Sequence, residues 1–259
     1  MEQQYVKYKV NDRIATITLN RPEKRNALNA QVVTELKNAF TEAANDAEAK
    51  VIVLAAEGDA FCAGADLAYL QSLQKNTYEE NLEDSSHLKE LFHQIYTHPK
   101  VVIAKIQGHA IAGGSGLATV CDYSFTVPKA MFGYTEVRIG FIPAIVMVFL
   151  LRKIGEGKSK ELLLSGELID AERAVSMGLI NNVVEADLLD QAVQEFADRL
   201  VKKNSGQSMT YTKQMIASVQ EMSLEAGLDF AAAQNAKARA SEDCQKGIGA
   251  FLNKEKPTW

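Results

Sequence analysis

Cysteine is scarce in this chain: Cys62, Cys121 and Cys244 are three in 259 residues, widely spaced and with no CxxC pair. An odd and scattered set gives neither a disulfide framework nor a cysteine zinc site. Histidine is scarcer in effect. Of four, His87, His93 and His98 fall on one expected helix and its end, without the spacing of a motif such as HExxH, so no metal is expected. Positive charge is not in excess either; the net charge is −5 with the basic residues dispersed, which excludes a nucleic-acid footprint. No uninterrupted apolar run reaches the roughly 18 residues of a spanning helix. The longest candidate, Pro143 to Leu151, is too short. The opening Met1-Glu2-Gln3-Gln4 is polar and lacks signal or transit character. What remains is a chain with 47% hydrophobic residues, enough for one sizeable core. The expectation is a soluble cytoplasmic protein without a membrane or nucleic-acid partner.

Two short glycine-rich stretches stand out against this background. They are Phe61-Cys62-Ala63-Gly64-Ala65-Asp66-Leu67 and Gly108-His109-Ala110-Ile111-Ala112-Gly113-Gly114-Ser115-Gly116-Leu117. Each follows an apolar strand-like run, Val51 to Ala56 and Val101 to Ile106, and each leads into a helical pattern. Where a glycine turn enters a helix, backbone N–H groups are unpaired and small side chains let a ligand approach them. Two such turns side by side would aim two amides at one oxygen atom, the arrangement that stabilises an enolate formed from a polarised carbonyl. Twenty residues past Gly116 lies Glu136, a single carboxyl in the segment Phe132 to Pro143. Among Phe132, Ile139 and Phe141 it should be partly desolvated, which raises its pKa toward a value useful for moving protons near neutrality. Taken alone, a salt-bridged or surface glutamate is the plainer reading. Cys62 reads as a small residue filling a tight turn rather than a nucleophile, and His109 as a hydrogen-bonded structural residue rather than a substrate contact.

The periodicity places the elements. Tyr5 to Val10 and Ile14 to Leu19 flank the turn pair Asn11-Asp12, which suggests a hairpin. Asn29 is placed to cap a helix to about Ala44. Helices are expected over Leu67 to Leu73, Tyr78 to Tyr96 and Gly114 to Val120, with strands at Val51 to Ala56, Val101 to Ile106 and Tyr123 to Val127. Strand, turn and helix in this order predict parallel crossover units whose ligand turns follow the strand ends. The second half reads as helices from Ala144 onward, with only Ile180 to Val184 strand-like. A soft division near residue 200 separates a core of residues 1–200 from a helical region of residues 201–259.

Several motifs in order carry a resemblance. Val10 to Pro22 with Lys24-Arg25-Asn26-Ala27-Leu28-Asn29, then Phe61 to Leu67, Gly108 to Leu117, Glu136, and the stretch Lys246 to Trp259 are together similar to the enoyl-CoA hydratase/isomerase (crotonase) family over nearly the whole length. The resemblance implies an α/β fold, a spiral of ββα units with a C-terminal helical trimerisation region, and a homotrimer or homohexamer. It implies an acyl-CoA substrate and no separate cofactor, since coenzyme A is part of the substrate. By the same resemblance the N–H groups of Ala65 and Gly113 form the oxyanion hole and Glu136 is the proton-handling residue. Arg25, Ala27, Ala63, Asp66, Leu67, Gly114 and Gly116 then fall at the substrate. Lys24, Arg25, Lys153, Lys158 and Lys160 are candidates for the CoA phosphates, although a solvated helix face accounts equally for the last three.

One departure limits the inference. Gly116 stands where hydratases of this family carry a first glutamate. Three readings stay open: hydration with Glu136 alone, with room beside Gly116 for a bulkier acyl chain; double-bond isomerisation; and decarboxylation or dehydration of a branched thioester. Ser115-Gly116-Leu117 with Glu136-Val137-Arg138-Ile139-Gly140 and Pro143-Ala144 resembles the branch handling methylglutaconyl-type thioesters, where Arg138 would meet a substrate carboxylate. A chain that binds acyl-CoA without efficient turnover is the alternative of another class.

Overall fold

A computed structural model of the chain describes residues 4–259, so Met1, Glu2 and Gln3, part of the polar opening noted above, lie outside the described residues. The N-terminal hairpin forms as expected, with its turn at Asp12-Arg13, one residue beyond the expected pair Asn11-Asp12. β1 (Val6–Asn11) pairs antiparallel with β2 (Ile14–Leu19) around Asp12 and Arg13, both in the left-handed region with φ of 47° and 65°. α1 (Ala30–Asn45) starts where the Asn29 side chain accepts the Val32 N–H at 2.9 Å, and buries Val32, Val33, Leu36, Ala39, Phe40 and Ala43 on one stripe.

Three strand pairs then repeat one plan. β3 (Val51–Ala56) is followed by the short β4 (Ala60–Cys62), and then by α2 (Leu67–Leu73) and α3 (Tyr78–Tyr96). β5 (Val101–Ile106) is followed by β6 (His109–Ile111) and α4 (Gly113–Val120). β7 (Tyr123–Thr126) is followed by β8 (Met131–Gly133), a 3-10 turn over Glu136–Ile139, and α5 (Ala144–Ser165). β9 (Ile169–Asp170), α6 (Ala171–Met177) and β10 (Asn182–Val183) come next, then α7 (Leu189–Lys203), α8 (Gly206–Val219), α9 (Leu224–Arg239) and α10 (Glu242–Leu252). The expected division near residue 200 falls within α7.

The longer strands form one sheet in the order β1-β2-β3-β5-β7-β10, parallel from β2 onward. Its central strands are apolar runs because both faces are covered; Val51 to Ala55 and Val101 to Ala104 are all buried. The short strands form a second sheet, β4-β6-β8-β9, which hydrophobic periodicity did not predict. At two or three residues each, these strands are too short to show alternation. Gly155, at φ 77°, breaks α5 into two helices. No helix among the described residues is long and apolar enough to cross a membrane.

Candidate active site

The second sheet lines up three site segments. β4 and β6 run parallel, with Ala60 opposite His109 and Cys62 opposite Ala110; β6 and β8 run parallel, with Ala110 opposite Phe132 and Ile111 opposite Gly133. Ala65, Gly113 and Glu136 each follow one of these strands by two or three residues. Their convergence is therefore a matter of strand register. The Ala112 N–H donates to the Gly133 carbonyl at 2.7 Å, and the Ser115 hydroxyl joins the same corner, donating to Ala110 O at 2.6 Å and accepting from Gly133 N at 3.1 Å. Ser115 is a positioning residue that sequence reasoning did not nominate.

The two glycine turns touch. A Cβ on Gly64, whose φ is 89°, would lie 2.8 Å from the Ala112 Cβ and 3.4 Å from the Gly113 nitrogen. Only glycine lets the backbones approach this closely at that φ. The first turn is also held by the loop carrying Arg25: Ala63 N donates to Arg25 O, Leu28 N to Gly64 O, and Asp66 N to Leu28 O, at 3.0, 2.7 and 2.8 Å. This leaves Ala65 bridged to Leu28 with its own N–H outside the pair. Among the described residues no turn, loop or cap hydrogen bond takes up the N–H of Ala65 or of Gly113, the first residue of α4. Before it stands Ala112 at φ 52° and ψ −120°, a conformation costly for a residue with a Cβ. The chain stores strain where it aims these amides.

Glu136 opens the 3-10 turn after β8. Its Oε2 is buried and meets no hydrogen-bond partner, while its carboxyl bonds its own backbone N–H. Burial raises its pKa above the ordinary carboxylate value, and that outweighs the lowering effect of the backbone bond. The wall differs in part from expectation. Phe132 and Tyr134 are fully buried, but Ile139 and Phe141 are exposed, so the desolvation comes from the inner side of the segment. A buried carboxyl oxygen without a partner, at the sheet end where the two glycine turns lie, has the chemistry for proton transfer.

Other nominated residues take definite places. Asp66 N-caps α2 through Ala68 and Tyr69 and pairs with Arg21 at 2.8 Å. Burial pulls its pKa up, yet the Arg21 bond and the cap leave it lowered overall. Arg21 also donates to Ala27 O, and Ala27 itself is buried. Arg25 is exposed with φ 51°, and Leu67 is exposed at the start of α2. Gly114 packs so closely on Cys62 that a Cβ there would meet the Cys62 carbonyl oxygen at 2.1 Å. Cys62 is buried, its thiol pushed up to about 12 by desolvation, which suits a packing residue. His109 accepts the Met131 N–H through Nδ1 at 3.1 Å, tying β6 to β8. No cluster of metal-ligating side chains occurs among the described residues.

Gly116 corrects one expectation. The space beside it is not open: a Cβ would meet Val146 Cγ1 at 2.4 Å and Phe92 Cε1 at 2.8 Å, both buried side chains. No room for a bulkier acyl chain is made there. Three of the lysines nominated for phosphates have partners within the chain. Lys153 Nζ bonds the carbonyls closing α4, Lys158 bonds Met177 O, and Lys160 pairs with Glu156.

A family model described as enoyl-CoA hydratase/isomerase matches residues 9–259. A Thermus thermophilus protein whose name assigns it to the enoyl-CoA hydratases is 39% identical, covering 94% of this chain and 96% of its own. The crotonyl-CoA hydratase of Syntrophomonas wolfei is 32% identical over 95% of this chain and 94% of its own. Among solved structures, an enoyl-CoA hydratase from Shewanella pealeana superposes with a TM-score of 0.94 at 30% identity, covering 100% of this chain and 97% of that one.

Proposed function

The chain belongs to the enoyl-CoA hydratase/isomerase family, and from that premise we propose that it adds water across the conjugated double bond of a 2-enoyl-CoA, with Glu136 as the only side-chain proton carrier. The observation that carries the proposal is the buried, unpartnered Oε2 of Glu136 in the turn after β8, at the same end of the second sheet as the turns carrying Ala65 and Gly113. In this scheme the two N–H groups bind the thioester oxygen. The Glu136 carboxylate takes a proton from water as the water oxygen bonds to C3, and the π electrons move onto the thioester as an enolate. The same carboxyl then returns that proton to C2, and the thioester C=O is restored. Charge builds on the thioester oxygen only in the transition state and intermediate, where fixed donors stabilise it most. The reaction adds water, forming the C3–O bond and delivering the proton to C2, with no net redox change, so it draws on no redox group; CoA is part of the substrate.

The narrower substrate, a branched thioester such as 3-methylglutaconyl-CoA, gains no support from the filled space at Gly116. What favours it is Arg138, two residues from Glu136, exposed and without an ion pair or side-chain hydrogen bond among the described residues. Isomerisation of a 3-enoyl-CoA is the second reading, favoured by the absence of a carboxyl group at Gly116: one carboxylate suffices to remove a proton from C2 and return it at C4. A homotrimeric or homohexameric assembly agrees with the exposure of Ile139, which ends the 3-10 turn, and of Phe141 and Ile142 just after it.

The test follows loss of the conjugated thioester absorbance with crotonyl-CoA and 3-methylglutaconyl-CoA. Glu136→Gln is expected to lower kcat by about 100- to 10,000-fold, the range of a general acid–base residue. Retention of turnover within about tenfold would remove Glu136 from the mechanism. Consumption of 3-enoyl-CoA alone would make the enzyme an isomerase.

A further inference from the structure

A cavity of about 730 Å³ opens at the last turn of α4, between that turn and α5, α7 and α8. Ala65, Gly113 and Glu136 do not line it. Its size is that of a small-molecule site. Phe149, Leu200 and Ile216 supply apolar walls. Phe149 separates it from the catalytic side: its ring stacks on Phe92 with centroids 6.3 Å apart, and Phe92 is the ring packed against Gly116.

The charges lining this cavity do not balance. Arg152, Lys153 and Lys213 face one carboxylate, Asp122. Lys213 is satisfied, donating to Asp122 Oδ2 at 2.7 Å and to the carbonyls of Ile95 and Lys100. Lys153 is not matched by any carboxylate; its buried ammonium meets only the carbonyls of Ala118, Thr119 and Cys121. Arg152 donates one hydrogen bond to Val148 O, and its nearest carboxylate, Glu221, is 3.9 Å away and mostly exposed. Beside it the Tyr96 hydroxyl accepts from Gln220 and keeps its own hydrogen to donate. Arg152 is exposed at the cavity mouth and its pair with Glu221 is loose, so it can take an incoming anion whose apolar part lies against the inner walls.

We propose that this cavity is a second ligand site, distinct from the catalytic one, for an organic carboxylate with an apolar body. The body lies against Phe149 and Ile216, and the carboxylate meets Arg152 and the Tyr96 hydroxyl.

Trp259, the only tryptophan in the chain, lines the cavity and reports its occupancy by fluorescence. Octanoate is titrated against the full chain, with octan-1-ol as the uncharged body and inorganic phosphate as the bodiless anion. A saturable change in Trp259 emission is expected with octanoate, at an affinity about tenfold or more above that for the alcohol, the scale of a charge-assisted pair. Phosphate should give no saturable change. Arg152→Gln should erase the preference for the carboxylate and leave alcohol binding intact. Ala217→Phe, which fills the recess, should abolish both responses while enoyl-CoA turnover persists. The proposal is overturned if octanoate gives no saturable response in the assembled protein, if Arg152→Gln binds it as tightly as the original chain, or if saturating CoA displaces it.

Discussion

Substituting Gly116 by alanine separates a filled space from an open one. The residue sits within α4, where glycine costs about 0.5–1 kcal/mol relative to alanine, so with free space the substitution would stabilise the protein. Space is not free: the new Cβ would stand 2.4 Å from Val146 Cγ1, 2.8 Å from Phe92 Cε1 and 3.1 Å from Phe92 Cζ. Real Cβ contacts do not approach 2.4 Å. Val146 cannot turn aside cheaply, because a β-branched residue in a helix has one strongly preferred rotamer. Phe92 is fully buried and braced by Phe149. A 2.4 Å approach puts the overpacking cost in the upper part of about 1–3 kcal/mol, which exceeds the helix gain and leaves a net loss of about 1–2 kcal/mol. Val146→Ala alone should cost about 1–3 kcal/mol from lost burial. The double variant removes the clashing methyl, so its loss should fall short of the sum by at least about 1 kcal/mol. Equilibrium unfolding in urea, followed by far-UV circular dichroism on all four proteins, measures this. A neutral or stabilising Gly116→Ala, or strict additivity, would show that the recess is open and that a second acidic residue or a larger acyl group has room there.

Other expectations follow from the same contacts. Gly64→Ala places a side chain at φ 89° and 2.8 Å from the Ala112 Cβ; it should cost about 2 kcal/mol or more of stability and lower kcat, and unchanged kinetics in a folded variant would separate Gly64 from the amide geometry. His98 is buried with a pKa lowered to about 4, first by desolvation and further by Lys213 and Lys100. Its Nε2 faces Phe40 O while Nδ1 takes the Lys100 N–H, so the neutral Nε2–H form is the one that fits. The unfolded chain then binds the extra proton first, and the stability present above about pH 6.5 is lost as pH falls toward 4, about 2 kcal/mol of it between pH 7 and 5. Urea titrations at both pH values against His98→Gln, which lacks the titration, should show that difference, and equal slopes would refute it. For Glu136, burial moves the acid limb of kcat/KM above the ordinary carboxylate range; a limb at the value of a free glutamate would mean the carboxyl is solvated.

Much of the fold was legible because its signals are local. Asn29 before an apolar stripe gave α1 within a residue at each end; α2 and α3 fall where the helical pattern put them, and the structure adds their caps at Asp66 and Thr77. Val51 to Ala56 and Val101 to Ile106 read as buried strands because parallel strands covered on both faces carry unbroken apolar runs. β4, β6 and β8 escaped notice because three residues hold no period, and what makes them strands is each other. The exposure of Ile139 and Phe141 was equally hidden, since hydrophobic residues are not obliged to be inside.

By itself the sequence determined the chemical vocabulary: two glycine turns that leave amides unpaired, one glutamate in an apolar segment, and glycine at position 116. Only tertiary structure decided the grammar. The parallel register of three short strands brings Ala65, Gly113 and Glu136 to one end of the second sheet, and the packing of Phe92 and Val146 closes the space that the missing side chain at Gly116 seemed to leave. The reason is that a residue's type limits what it can do, whereas the volume and dielectric around it are set by neighbours distant in the chain. Phe92 precedes Gly116 by a whole strand–strand unit, and Val146 follows it on another helix. No local pattern records that meeting.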